Sequence, residues 1–282
     1  MGDFMCNEIP LNDEEKQFVK FLNHFQEYYK TVIDIAESEH TENFLRDKLR
    51  NSDFKMFSLD DICQSCTSFE DDDIKFYPRT TDAIFYKKHE DGSFRIYLVE
   101  FKGSKLCEIT KKCDLVDVYN NLMDLNNQYQ NQLSGPVNEI KRILYKFSDS
   151  LFNSLVSKPI ETVTIAIPLI YEEYYEKNKD QEGVEHIDIR KFLDDSKIIY
   201  RVVSKSDETN NRHRARSNNY RCSFYSKKCK KYAEENRDFS MLYSYESNLL
   251  TYHKRYEAAG ILFDTDCIED VAFDRFINRN MK

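Results

Sequence analysis

The segment DAIFYKKHEDGSFRIYLVEFK, residues 82–102, contains the most informative local pattern in the chain. Its two ends, Asp82–Lys87 and Phe94–Lys102, are rich in β-branched and aromatic residues, as strands are. The short polar stretch His89–Gly92 between them ends in glycine, which indicates a hairpin turn. We therefore predict two antiparallel strands joined by a turn near residues 90 and 91.

Helical patterns lie on both sides of this hairpin. Asn12 is a suitable N-cap, and apolar residues recur at helical spacing from Phe18 to Ile33, which predicts one long amphipathic helix. A second helical pattern covers about residues 114–155, and Gly135 and Pro136 are expected to divide it into two helices.

Further strands and helices are predicted towards the C-terminus. Thr162–Ile170 is a short continuous apolar run of the kind found in buried strands, and Lys197–Val203 is a further strand candidate. Helices are expected at about residues 223–236, 239–258 and 268–278. This order predicts an α/β fold with a mixed central sheet flanked by helices and with a helical C-terminal extension. We expect an α/β core over residues 1–203, with residues 204–282 packed on it.

The composition of the chain excludes a disordered protein and disfavours a membrane-spanning one. The chain has 282 residues, 14% of them aromatic, which excludes disorder as the main state. No stretch approaches the roughly 18 apolar residues that span a bilayer, and the N-terminus lacks the pattern of a secretory signal, so a cytoplasmic protein without a membrane partner is expected. The Cys63-x-x-Cys66 spacing lacks a good second pair for structural zinc, which favours buried thiols.

Positive charge is concentrated in one segment. The formal net charge of the chain is −9, yet the stretch from Ser204 to Lys231 contains nine basic residues and two acidic ones. Such asymmetry is typical of a chain with one surface for a polyanion. The nucleic-acid-binding candidates in it are Arg212, Arg214, Arg216, Arg221, Lys227 and Lys228. A solvated loop that balances the acidic remainder is the alternative interpretation.

The hairpin carries the candidate catalytic residues. Glu100 and Lys102 are two residues apart in a strand and therefore face the same side. A turn near residues 90 and 91 places Asp82 opposite residues 99–101, within reach of Glu100 across the ladder. Two carboxylates suit a hard cation such as Mg²⁺, and a lysine beside them can orient a water molecule.

The acid-x-Lys tripeptide alone carries little information. It occurs six times in this chain, but the copy at Glu100 ends a strongly apolar strand that a hairpin pairs with an acid-bearing strand. The alternative interpretation of the cluster is a cross-strand salt bridge on an ordinary solvated sheet face.

Asp82, the strand and turn that follow it, and the Glu100-Phe-Lys102 triplet resemble the PD-(D/E)xK nuclease superfamily, whose fold is restriction-endonuclease-like. The resemblance covers about residues 12–170, and Thr81 stands where the family has its proline. It implies that Asp82 and Glu100 bind Mg²⁺ or Mn²⁺ and that Lys102 assists the attacking water. It also implies an acid from the first helical region, for which Glu42 is chosen over Glu37 and Glu39.

This resemblance implies a metal-dependent nuclease that hydrolyses phosphodiester bonds, with DNA favoured over RNA as partner. A homodimer is a further implication, since many nucleases of this fold cut both strands as dimers. Two alternatives stay open: a non-catalytic nucleic-acid or protein-interaction module of the same fold, and an acidic structural protein whose basic loop remains solvated.

Overall fold

The central feature of the computed structural model is a mixed β-sheet. The structure describes residues 9–36, 52–71, 74–75, 77–102, 114–204 and 245–280. Among these residues, six strands form one sheet in the order β1-β2-β5-β6-β7-β8. They are β1 (Tyr29–Thr31), β2 (Lys55–Ser58), β5 (Ala83–Lys88), β6 (Phe94–Lys102), β7 (Lys197–Ser204) and β8 (Asp264–Glu269), and a separate pair consists of β3 (Glu70–Asp71) and β4 (Ile74–Lys75). The first four strands of the sheet pair antiparallel, whereas β6, β7 and β8 run parallel.

Helices cover both faces of this sheet, which confirms the predicted α/β class with a mixed, helix-flanked sheet. The helices are α1 (Asp13–His24), α2 (Val32–Ala36), α3 (Leu59–Ser65), α4 (Asp114–Gln128), α5 (Ser134–Glu161), α6 (Ile167–Asn178), α7 (Ile189–Asp195), α8 (Tyr245–Ala258) and α9 (Asp270–Asn280). In the described part of the chain, none of them has the combination of length and apolar character needed to cross a bilayer.

The first helix begins as predicted but is shorter. The Asn12 side chain accepts a hydrogen bond from the backbone N–H of Glu15, and the Glu15 side chain accepts one from the backbone N–H of Asn12, which forms a capping box. The prediction that the helix continues to Ile33 is wrong, because α1 ends at His24. Residues 29–31 pair with β2 instead, so a tertiary partner takes the backbone groups that a longer helix would use.

The predicted strand over residues 162–170 is also wrong. Thr162–Ala166 form a π-helical turn that connects α5 directly to α6. A continuous apolar run fits a buried helix as well as a buried strand, and β7 already occupies the parallel position beside β6. Pro159 within α5 has no N–H for the carbonyl of Leu155, and local π turns commonly accompany such interruptions of the helical ladder.

The C-terminal region is not wholly helical, which corrects the predicted extension. Two of the three expected helices are present, as α8 and α9, but between them β8 extends the sheet beside β7. The third, over residues 223–236, lies outside the described residues. The strand therefore contributes to the same sheet as the hairpin.

Alternation along the hairpin places the candidate site. Ile84, Ile96 and Leu98 belong to a core that also contains residues of α1, α5, α6 and α7. Phe85 and Tyr97 belong to the core on the other side, with residues of α2 and α9. Since side chains two apart share a face, positions 82, 100 and 102 lie on the side that α5 covers.

Candidate functional site

The hairpin brings Asp82 and Glu100 together as predicted. Ala83 pairs with Val99, so the register places Asp82 opposite Glu100. The backbone N–H of Phe101 donates a hydrogen bond of 2.6 Å to Asp82 Oδ2, which orients this carboxylate across the ladder. Asp82 is 7% exposed and Glu100 is fully buried. The expected cross-strand meeting of the two carboxylates is therefore confirmed.

Lys102 joins this pair. Its ammonium forms an ion pair with Glu100 Oε1, and its side chain is 13% exposed. The three residues that the sequence analysis singled out on the hairpin therefore converge, on a face that a helix covers. A salt bridge on an ordinary solvated face, the alternative interpretation, does not fit this burial.

Lys158 is a fourth member that the sequence analysis missed. Its ammonium lies 2.8 Å from Glu100 Oε1, 2.9 Å from Glu100 Oε2 and 3.3 Å from Asp82 Oδ1. The predicted helix ends near residue 155, so Lys158 lies beyond it in the prediction. Had the helix been extended through the apolar residues 162–170, Lys158 would have been assigned to a long helix packed against the sheet. The sequence alone contains no signal that Lys158 pairs with Asp82 and Glu100.

Contacts on both sides of Lys158 hold the end of α5 against the strand entry. The backbone N–H of Arg79 donates to Glu161 Oε2 at 2.8 Å, and that of Thr81 donates to Thr162 Oγ1 at 3.0 Å. The Arg79 guanidinium also donates to Ser157 Oγ at 3.3 Å. The position of Lys158 beside Asp82 thus follows from several independent contacts.

The two carboxylates have opposite pKa shifts. Burial, and then the charge of Glu100, raises the pKa of Asp82 well above its usual range. Burial acts in the same direction on Glu100, but the ammoniums of Lys102 and Lys158 outweigh it and lower the pKa of Glu100. For Lys158, burial opposes the charged form, yet the carboxylates of Glu100 and Asp82 prevail and raise its pKa. Glu100 is therefore the firmly ionised acid of the pair, and Asp82 takes up a proton more readily.

A pocket of about 410 Å³ opens beside this cluster. Lys158 belongs both to the cluster and to the wall of the pocket. The other lining residues are Asp60, Cys63, Gln64, Tyr77, Pro78, Arg79 and Thr80. The Thr80 hydroxyl donates a hydrogen bond to Asp60, whose charge contributes to the raised pKa of Asp82. The cluster therefore adjoins a space with polar and charged walls.

The carboxylate oxygens of Asp82 and Glu100 are ligands of the type that a hard divalent cation prefers. Among the described residues, no group of three or more His, Cys, Asp or Glu side chains is placed to hold a metal ion. Mg²⁺, however, is commonly bound by one or two carboxylates, with water and substrate phosphate as further ligands. Asp82 and Glu100 supply two such carboxylates, both aimed at one cationic group in the structure.

Several predicted residues lie outside the described part of the chain. These are the helical acid Glu42, with its alternatives Glu37 and Glu39, and the basic candidates Arg212, Arg214, Arg216, Arg221, Lys227 and Lys228.

Cys63 and Cys66 are both buried thiols, and burial raises their pKa to about 12 and about 11 respectively. A buried thiol of high pKa is a poor nucleophile, so neither cysteine competes with the carboxylate cluster for a catalytic role.

Comparison of the chain with protein-family models, with curated proteins and with solved structures finds no match.

Proposed function

We propose that this chain is a metal-dependent nuclease of the PD-(D/E)xK type that hydrolyses phosphodiester bonds in DNA. The observation that carries the proposal is the convergence of Asp82, Glu100 and Lys102 in a buried cluster beside a pocket. The charge of Glu100 contributes to the raised pKa of Asp82, and carboxyl groups with perturbed pKa values are a feature of functional sites.

The topology supports a restriction-endonuclease-like core. The hairpin that carries the three residues is followed by helices and then by β7, which pairs parallel to β6. The strand after the helices is β7, in place of the predicted strand over residues 162–170 with which the resemblance ended.

In the proposed mechanism, Asp82 and Glu100 would hold the cation. A bound Mg²⁺ or Mn²⁺ supplies Lewis acidity towards the phosphate and a lower pKa for a bound water. Glu100 is suited to the ligand role because it is ionised, and the Phe101 N–H fixes the direction of Asp82. Lys102, which pairs with Glu100, would hydrogen-bond the attacking water. The basic segment would hold the DNA backbone.

The test is a cleavage assay with plasmid, linear and single-stranded DNA and with RNA, in Mg²⁺, Mn²⁺ or EDTA. Loss of the positioned ammonium in Lys102→Met should reduce metal-dependent cleavage by roughly 100-fold or more. Lys30→Met is the matched control, because Lys30 pairs with Asp61 at 2.8 Å at a half-exposed position away from the hairpin cluster. Cleavage that survives in Lys102→Met would remove this residue from the mechanism.

A non-catalytic nucleic-acid or protein-interaction module of the same fold is the second candidate. The observation that favours it is Lys158, whose ammonium already pairs with both carboxylates without a metal. Absence of cleavage of every substrate, together with salt-sensitive DNA binding, would favour this module over the nuclease.

A further inference from the structure

The four carboxylate oxygens of the cluster are shared unequally among their donors. Asp82 Oδ2 accepts from the Phe101 N–H, and Glu100 Oε1 is contacted by Lys102 as well as by Lys158. For the remaining two oxygens, Asp82 Oδ1 and Glu100 Oε2, the partner within the described residues is Lys158, at 3.3 and 2.9 Å. One oxygen of each carboxylate therefore points to the Lys158 ammonium.

A divalent cation held by Asp82 and Glu100 would compete for carboxylate oxygens that the Lys158 ammonium contacts. With two carboxylates and two ammoniums, the cluster carries no net formal charge, so it attracts a further cation weakly. A divalent ion at the same position would also repel the Lys158 ammonium at short range in a poorly solvated site. The ammonium and the divalent ion therefore exclude each other.

The pocket beside the cluster can accept the displaced ammonium of Lys158. The end of α5 is held to the strand entry by hydrogen bonds to Glu161 and Thr162, so the helix backbone need not move. The long lysine side chain is flexible, and Lys158 already forms part of the wall of the 410 Å³ pocket. Asp60, which accepts a hydrogen bond from the Thr80 hydroxyl, lies in the same wall.

We propose that Lys158 is a displaceable counter-cation: its ammonium pairs with both Asp82 and Glu100 in the metal-free protein, and a divalent cation enters by moving this ammonium into the adjacent pocket. The inference rests on the proposed function only in its need for a divalent cation at this pair. Lys158 thereby sets the metal affinity of the site.

The first experiment is a titration of the full chain with Mn²⁺, followed by the electron paramagnetic resonance signal of the free ion. Lys158→Met should bind Mn²⁺ at least about tenfold more tightly than the wild type, because it loses the competing charge. Lys102→Met is the matched control and should show a smaller gain, because the contact of Lys102 is with Glu100 and not with both carboxylates. Adding Asp82→Asn to Lys158→Met should abolish the gain. Unchanged or weaker Mn²⁺ binding in Lys158→Met would overturn the proposal.

A second measurement uses the wild-type protein and so does not depend on the folding of a variant. Acetylation of individual lysines is measured by mass spectrometry with and without saturating Mg²⁺. The rate at Lys158 should rise several-fold with Mg²⁺ as the ammonium leaves the carboxylates, whereas Lys88, paired with Glu15 at 2.6 Å, serves as the internal reference. A rate at Lys158 that stays constant or falls would contradict displacement.

These outcomes separate the inference from the proposed function. Tighter Mn²⁺ binding by Lys158→Met without cleavage of any substrate would support the counter-cation and contradict the nuclease. Cleavage that needs Lys102, with no gain in affinity on loss of Lys158, would contradict the counter-cation alone.

Discussion

Protonation of His253 should lower the stability of the protein as the pH falls towards 4. The residue lies in α8, is fully buried, and packs edge-on against Tyr200 of β7 with ring centroids 5.0 Å apart. Its Nε2 is 3.4 Å from the carbonyl oxygen of Leu155, which Pro159 leaves without its helical donor. Its Nδ1 has no hydrogen-bond partner among the described residues. The site therefore accommodates a neutral ring and offers nothing to a second N–H.

The sign and size of the effect follow from its pKa. Burial lowers the pKa of His253 from 6.5 to about 4. Because the folded state binds the proton less readily than the unfolded state, the contribution to stability is complete above about pH 6.5 and is lost as the pH falls towards 4. A difference of this size corresponds to roughly 3 kcal/mol of unfolding free energy.

The measurement is urea unfolding between pH 7.5 and 4, followed by circular dichroism since the chain has no tryptophan. His253→Leu and His253→Gln both remove the titrating ring but differ in how well they fill the site. Both should be less stable than the wild type at pH 7.5, and the wild type should lose about 3 kcal/mol more than either variant on acidification. Wild-type and variant profiles that run parallel would refute the argument.

Two further predictions concern the carboxylate pair and the end of α5. Asp82→Asn should raise the free energy of unfolding at pH 7, because the raised pKa of Asp82 means that its charged form opposes folding there. Glu100→Gln should instead lower the free energy of unfolding by about 3–5 kcal/mol, since two ammoniums lose their buried counter-charge. Urea unfolding measures both variants, and a change of the same sign in the two would contradict the assigned roles. Thr162→Val should lower the free energy of unfolding by about 1–3 kcal/mol, because it leaves the buried N–H of Thr81 without its acceptor. Thr162→Ser keeps the hydroxyl and should retain the stability of the wild type. Equal losses of stability in the two variants, measured by thermal unfolding, would argue against this hydrogen bond.

Local patterns explain why the hairpin was predictable. Its strands alternate between two faces, its turn contains Gly92 at a φ of +76°, and the register follows from the turn. The meeting of Asp82, Glu100 and Lys102 depends on that register alone. The N-terminal cap at Asn12 was predictable for the same reason, because both partners lie within one turn.

The wrong predictions of secondary structure concern segments whose conformation depends on a partner distant in the chain. The run over residues 162–170 is apolar on all sides, which suits a buried helix and a buried strand equally, and β7 decides between them by occupying the place beside β6. Asp264–Glu269 contains acidic residues that weaken a strand pattern, yet it pairs with β7 over its whole length. Tyr29–Thr31 continued a helical pattern but pairs with β2.

The sequence by itself determined the hairpin, its register and the three residues that project from it, because these depend on contacts between residues close in the chain. Only the tertiary structure decided that the cluster is buried and that Lys158 bridges its carboxylates. Lys158 is 58 residues from Glu100, and its position follows from the packing of α5 against the sheet. The charges of the cluster, and hence its chemistry, depend on this long-range contact, because burial and neighbouring charge together set which carboxylate is ionised.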